Sequence, residues 1–82
     1  MIRAEVRVML KTGVLDPQGQ ATRKALANLG FDDVEGVRQG KLIVLDLDTD
    51  DRATAEAEAR SMAEKLLANP VTEDFSVELL DA

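Results

Sequence analysis

From Ile2 to Lys11 the chain alternates without a break. Ile2, Ala4, Val6, Val8 and Leu10 are apolar, and Arg3, Glu5, Arg7, Met9 and Lys11 fill the positions between them. A period of two is the mark of a strand with one face on a core and the other in water. Such a strand constrains all that follows. It needs neighbours along its edges and a layer over its apolar face, because a lone strand or hairpin is not stable in water.

The next segment supplies a helix. Asp16 is a good N-cap, and Pro17 suits the first helical position, where its missing N–H is not needed. Ala21, Ala25, Leu26 and Leu29 share one face at helical spacing, and Gly30 closes the helix in the left-handed conformation. Phe31 is then expected to fold back on Leu26, as in a Schellman ending. Residues 34–48 read as two extended pieces with a hairpin turn at Gln39-Gly40. Leu42-Ile43-Val44-Leu45 is apolar on both faces, so this strand is expected to be covered on both sides. In so short a chain the second cover is expected to be another subunit. Thr49, Asp50 and Asp51 offer caps for a second helix, with Ala55, Ala59, Met62, Ala63, Leu66 and Leu67 as its apolar stripe. Asn69-Pro70 ends it. Phe75, Val77 and Leu79 alternate through a last strand.

The order β-α-β-β-α-β predicts an α+β fold. It is a ferredoxin-like, four-stranded antiparallel sheet with both helices on one face, in a single domain over residues 1–82. That fold hosts many functions, so the site residues must decide.

Composition removes several classes. The 82 residues include no cysteine and no histidine, so thiol chemistry, disulfides, the usual neutral-pH base and the commonest metal ligand are lacking. A net charge of −6 argues against nucleic-acid binding by phosphate neutralisation. No apolar run approaches the length of a membrane span, and residues 1–5 lack an apolar signal core, so no membrane association and a cytoplasmic location are expected. The charge is polarised. Residues 1–41 carry seven basic and five acidic side chains, whereas residues 42–82 carry three and eleven.

Three constellations tempt and fail. Asp46-Leu47-Asp48-Thr49-Asp50-Asp51 has Asp51 and Ala57 where a calcium loop wants glycine and glutamate. Gly13 and Gly19 flank a strand–helix junction of the kind that holds phosphate, but the run is not a Walker loop, and Asp16 puts a negative charge where the phosphate would sit. Acylphosphatases share the expected topology, yet their first loop uses an arginine that residues 11–16 lack. No nucleophile–base pair is apparent.

Four segments together resemble one family. Lys11-Thr12-Gly13-Val14-Leu15-Asp16-Pro17-Gln18-Gly19 resembles the signature that follows the first strand of PurS, the small subunit of bacterial phosphoribosylformylglycinamidine synthase. Ala25-Leu26 and Leu29-Gly30-Phe31 fit the end of that family's first helix. Val37-Arg38-Gln39-Gly40-Lys41 is similar to its Val-Arg-x-Gly-Lys segment. Leu66 to Phe75 is similar to its Leu-Leu-Ala-Asn-Pro-Val-Ile-Glu-Asp-Tyr stretch, departing at Thr72 and Phe75. The resemblance spans essentially the whole chain.

The resemblance implies a non-catalytic accessory subunit. The family's enzyme converts formylglycinamide ribonucleotide, ATP and glutamine to formylglycinamidine ribonucleotide, ADP, phosphate and glutamate, the fourth step of purine synthesis. A PurL-type synthetase subunit uses ATP and Mg, a PurQ-type glutaminase subunit releases ammonia, and the small subunit is a homodimer that joins them. No cofactor is expected on this chain. Lys11, Gly13, Asp16, Pro17, Gln18 and Gly19, then Arg38, Gly40 and Lys41, then Asn69, Pro70 and Glu73 are the expected partner contacts. Ile43 and Leu45 are the expected dimer contacts. A ferredoxin-like dimeric module that senses a small molecule is the competing reading. Ile43→Asp is predicted to give a monomer or to unfold the chain; an unchanged, folded dimer in sedimentation would count against the dimer contact.

Overall fold

A computed structural model describes residues 1–81. It runs β1 (Ile2–Leu10), α1 (Pro17–Asn28), β2 (Lys41–Leu47), α2 (Arg52–Met62), a π turn (Ala63–Leu67) and β3 (Glu73–Asp81). The sheet is antiparallel in the order β2-β1-β3. The alternating first strand is therefore the central one. Ile2, Ala4, Val6 and Val8 are all buried, and Val6 and Val8 are the largest side chains with no exposure at all. Their partners across the ladder are Leu47, Leu45, Ile43 and Lys41 on β2, and Leu79, Val77 and Phe75 on β3. The opposite face carries ion pairs, Arg3 to Asp46 at 2.9 Å and Arg7 to Glu78 at 3.0 Å. Pairs as exposed as these contribute little to stability.

α2 and the π turn that continues it cover β1 and β3 through Ala55, Ala59 and Ala63, all fully buried. Alanine at i, i+4 and i+8 lets the helix axis approach the sheet closely. The cost is a thin core with little apolar volume. Asp51 caps α2, accepting from the Thr54 hydroxyl at 2.8 Å and the Ala53 N–H at 3.1 Å, which hold its carboxyl below the usual aspartate range. The expected apolar stripe divides at the far end. There the Ala68 N–H reaches back five residues to Ala63 at 2.9 Å. This wider turn buries Ala68 and leaves Leu66 83% exposed.

The α+β class, the antiparallel sheet and the two helices are as expected, but the sheet has three strands rather than four. Residues 34–40 join no ladder. Their backbone bonds to side chains instead: the Gln39 N–H donates to Asp16, and the Val34 carbonyl accepts from Arg23. The expected Gln39-Gly40 hairpin is therefore absent. Gly40 lies against β1, where a Cβ would stand 2.4 Å from the Val8 carbonyl oxygen. The missing strand is the edge strand of the ferredoxin-like sheet, so the outer edge of β2 stays open.

The second difference follows from the first. With no edge strand to return over the sheet, α1 does not pack beside α2; it makes almost no contact with the sheet and runs against residues 31–40 instead. Its C-terminus is the expected Schellman ending, with Gly30 at φ +99°, the Phe31 N–H on the Leu26 carbonyl and the Gly30 N–H on that of Ala27, both at 3.0 Å. Leu29 is 73% exposed and Phe31 54%. The molecule is consequently elongated. Its radius of gyration is 16.0 Å, against about 12 Å for a compact chain of this length.

Gly19 fixes how α1 meets its neighbours. An added Cβ would stand 2.2 Å from the Val37 carbonyl oxygen. Alanine favours a helix interior by about 1 kcal/mol over glycine, but overpacking against backbone that cannot rotate away costs about 1–3 kcal/mol. Gly19→Ala is therefore predicted to lower the urea midpoint. Gly36→Ala, where a Cβ meets nothing within 4 Å, should leave the midpoint unchanged or raise it slightly.

Candidate functional site

The antiparallel register brings three chain segments to one end of the sheet. Val8 pairs with Lys41, and Leu10 pairs with Glu73. The loop leaving β1, the segment entering β2 and the loop entering β3 therefore meet there. These are the three segments that hold the expected partner contacts.

Asp16 joins the first two. As N-cap of α1 its Oδ1 accepts from the Gly19 N–H at 2.8 Å, and its Oδ2 accepts from the Gln39 N–H at 2.8 Å. Those N–H groups, Gln39 first and Gly19 second, hold the carboxyl below the usual aspartate range. Pro17 starts the helix, as expected. Gly13, at φ +89°, forms the turn closed by the Val14 N–H on the Lys11 carbonyl at 3.0 Å. Arg38 donates from its guanidinium to the Leu10 carbonyl, a second tie between the same two segments.

Glu73 organises the third segment. Its carboxylate accepts from the Asn69 N–H at 2.7 Å and lies 3.8 Å from the Lys41 ammonium. Asn69 in turn accepts from the Val71 N–H at 2.9 Å, forming the turn that carries Pro70. Lys11 donates its backbone N–H to the Thr72 carbonyl at 2.8 Å and sets its ammonium 3.9 Å from Asp74. Lys41 also reaches the Leu67 carbonyl of the π turn at 3.5 Å.

Two grooves result, and Glu73 lies between them. One, of about 230 Å³, has Asp16, Gln18, Gln39, Gly40 and Lys41 in its walls. The other, of about 330 Å³, is lined by Lys11, Glu64, Ala68, Pro70, Asp74 and Phe75 as well as Glu73. The Phe75 ring faces the helix side of the sheet and packs against the core formed by Val6, Val8, Ala63 and Ala68. Among the described residues no group of three carboxylates is placed to hold a metal ion, and every buried side-chain polar atom has a hydrogen-bond partner. The end of the sheet is a surface of fixed shape and mixed charge.

All twelve expected partner contacts belong to these three segments. Ile43 and Leu45 do not. They lie midway along β2, half-buried, on the face that α2 occupies. Gln39, Glu64, Ala68 and Asp74 share the site although the sequence did not single them out. The carboxylate partner of the Gln39 N–H is 23 residues away in sequence, and Glu64 lies in the first turn of the π segment.

The model of the PurS family, described as phosphoribosylformylglycinamidine (FGAM) synthase, matches residues 3–81. The chain belongs to the PurS family. The PurS subunit of Archaeoglobus fulgidus FGAM synthase is 47% identical over 74 residues, 90% of this chain and 92% of the relative. That of Bacillus subtilis is 42% identical over 79 residues, 96% and 93% of the two chains. The crystal structure of Methanocaldococcus jannaschii PurS, a subunit of formylglycinamide ribonucleotide amidotransferase in the purine biosynthetic pathway, superposes with a TM-score of 0.90 at 35% identity, over 100% and 99% of the chains. A chain of the Thermotoga maritima PurLQS structure does so with a TM-score of 0.85 at 27% identity, over 98% and 99%. This PurS chain is accordingly an FGAM synthase subunit of purine biosynthesis.

The Asp16 bridge gives a pH prediction. Its folded pKa is depressed, so its contribution is present above the unfolded aspartate value and is lost as pH falls through the lower folded value. An NMR titration of the Asp16 carboxyl should have its midpoint below about 3.9. Asp16→Ser keeps a helix cap but cannot accept both bonds, and it should speed hydrogen exchange at the Gln39 amide by about tenfold or more. Unchanged exchange at Gln39 would show that the second bond is not made.

Proposed function

We propose that this chain is the non-catalytic accessory subunit that joins a PurL-type synthetase to a PurQ-type glutaminase and supports the passage of ammonia between them. ATP and Mg belong to the synthetase in this reading, and the chain itself binds no cofactor. The complex works in the cytoplasm in this reading. Among the described residues no helix is long and apolar enough to cross a membrane.

One observation carries the reading. The segments that hold the twelve candidate contacts, far apart in sequence, meet at one end of the sheet, and the carboxylates there are held by backbone N–H groups and lysines rather than set beside a nucleophile. A chain without histidine or cysteine has no thiol for glutamine hydrolysis. A preformed surface of loops on a rigid sheet is what a docking subunit requires.

The working form is a homodimer. α2 lies chiefly over β1 and β3 and reaches β2 only at Leu47, so Ile43 and Leu45 stay half-buried on that face. α1, meanwhile, carries Leu26 and Leu29 without a sheet beneath them. Placing α1 of one copy over β2 of the other satisfies both needs with one interface. Leu42 and Val44, 56% and 49% exposed on the other face, leave a second apolar strip for a partner.

Reconstitution tests the assignment. The initial rate of glutamine-dependent formylglycinamidine ribonucleotide formation by the synthetase and glutaminase subunits is measured with and without this chain. The rate is expected to require it. A rate unchanged by its omission would refute the accessory role.

A further inference from the structure

We infer that the groove between the π turn and the start of β3 seats a segment of a partner subunit bearing one aliphatic or aromatic side chain flanked by arginine or lysine. The inference rests on the accessory role proposed above and specifies how this chain grips its enzyme. The groove has an apolar floor of Ala68, Pro70 and Phe75, and its walls carry Glu64, Glu73 and Asp74 against Lys11 alone. Six of its seven lining residues come from the half of the chain that has eleven acidic residues to three basic ones. Glu73 is engaged by the Asn69 N–H and Lys41, and Asp74 is paired loosely with Lys11. Glu64 makes no ion pair among the described residues. Its charge is therefore free for an incoming cation.

At about 330 Å³ the cavity is at the small end for an organic ligand and suits an inserted side chain with its neighbours on the rim. An apolar anchor in a pocket, ringed by complementary charge, is the usual centre of a specific interface. The floor exists because of the π turn, an irregularity common at functional sites. The turn swings Ala68 inward to 7% exposure. Val71, the residue after Pro70, is 78% exposed and offers further apolar area. A second copy of this chain is the less fitting occupant. The surface that calls for a second copy is over β2, whereas this groove is on the β3 flank with β1 between them.

The test titrates this chain into the synthetase and glutaminase subunits and reads the concentration that gives half-maximal glutamine-dependent rate. Glu64→Lys and Asp74→Lys change exposed wall residues, and Glu58→Lys makes the same charge change on α2 outside the groove. Glu64→Lys is expected to raise the half-maximal concentration by about tenfold, Asp74→Lys to raise it as well, and Glu58→Lys to change it by less than about twofold. Circular dichroism and sedimentation check that each variant is folded with its mass unchanged. Equal effects of Glu64→Lys and Glu58→Lys, or no effect of either beside an active wild type, would overturn the groove while leaving the accessory role intact. A fall in the sedimentation mass of Glu64→Lys would give the groove to a second copy instead. A wild type that supports no activity at any concentration would bring down both readings.

Discussion

Asp16 holds two parts of the chain with its two oxygens, and the arrangement of the rest depends on that bridge. One oxygen starts α1 and the other fixes the amide of Gln39, so the helix and the segment that enters β2 are tied at their near ends. Arg38 on the Leu10 carbonyl and the close approach of Gly19 to Val37 extend the tie. α1 is thereby held beside residues 31–40 and away from the sheet. The same tie delivers Lys41 to the end of β2, where it meets Glu73. A charge-assisted bond of this kind is stronger than a neutral one, and here it acts twice through one side chain.

The consequence is a thin core with much apolar surface left outside it. α2 meets the sheet through alanines, so the fully buried side chains are small and the largest are two valines. Each buried valine contributes about 1.5–3 kcal/mol, and ordering the chain costs about 1–2 kcal/mol per residue for the backbone alone. A short chain with Leu15, Leu29, Leu66 and Val71 each more than 60% exposed has left much of its apolar surface unused. Burial of that surface between copies and against partner subunits is the economical use of it, and it agrees with a subunit whose proposed work is to hold others together.

Much of this was legible in the sequence, and the failures have a common cause. The alternation from Ile2 to Leu10 marks a half-buried strand, which the structure places at the centre of the sheet. Asp16, Pro17 and Gly30 mark both ends of α1, and Asn69-Pro70 marks where the π turn after α2 gives way to the loop, because caps and prolines act within a few residues. The Gln39-Gly40 hairpin does not form, since Asp16, far away in sequence, takes the Gln39 amide. The placing of α1 over the sheet failed with it. The apolar spacing of α2 continues through to Leu67, but the π turn shifts the face by one residue and sends Leu66 outward. The site was legible segment by segment; that the three segments meet at one end of the sheet, and that Glu64 joins them, required the register of the strands.

Completion of the fold by a second copy is the central claim, and sedimentation equilibrium of the unmodified chain at micromolar concentration tests it most directly. The account predicts the mass of two copies, with no folded single copy populated above a small fraction. A well-folded species with the mass of one chain would contradict it, because α1 and the open face of β2 would then be stable without the cover that the structure shows them to lack.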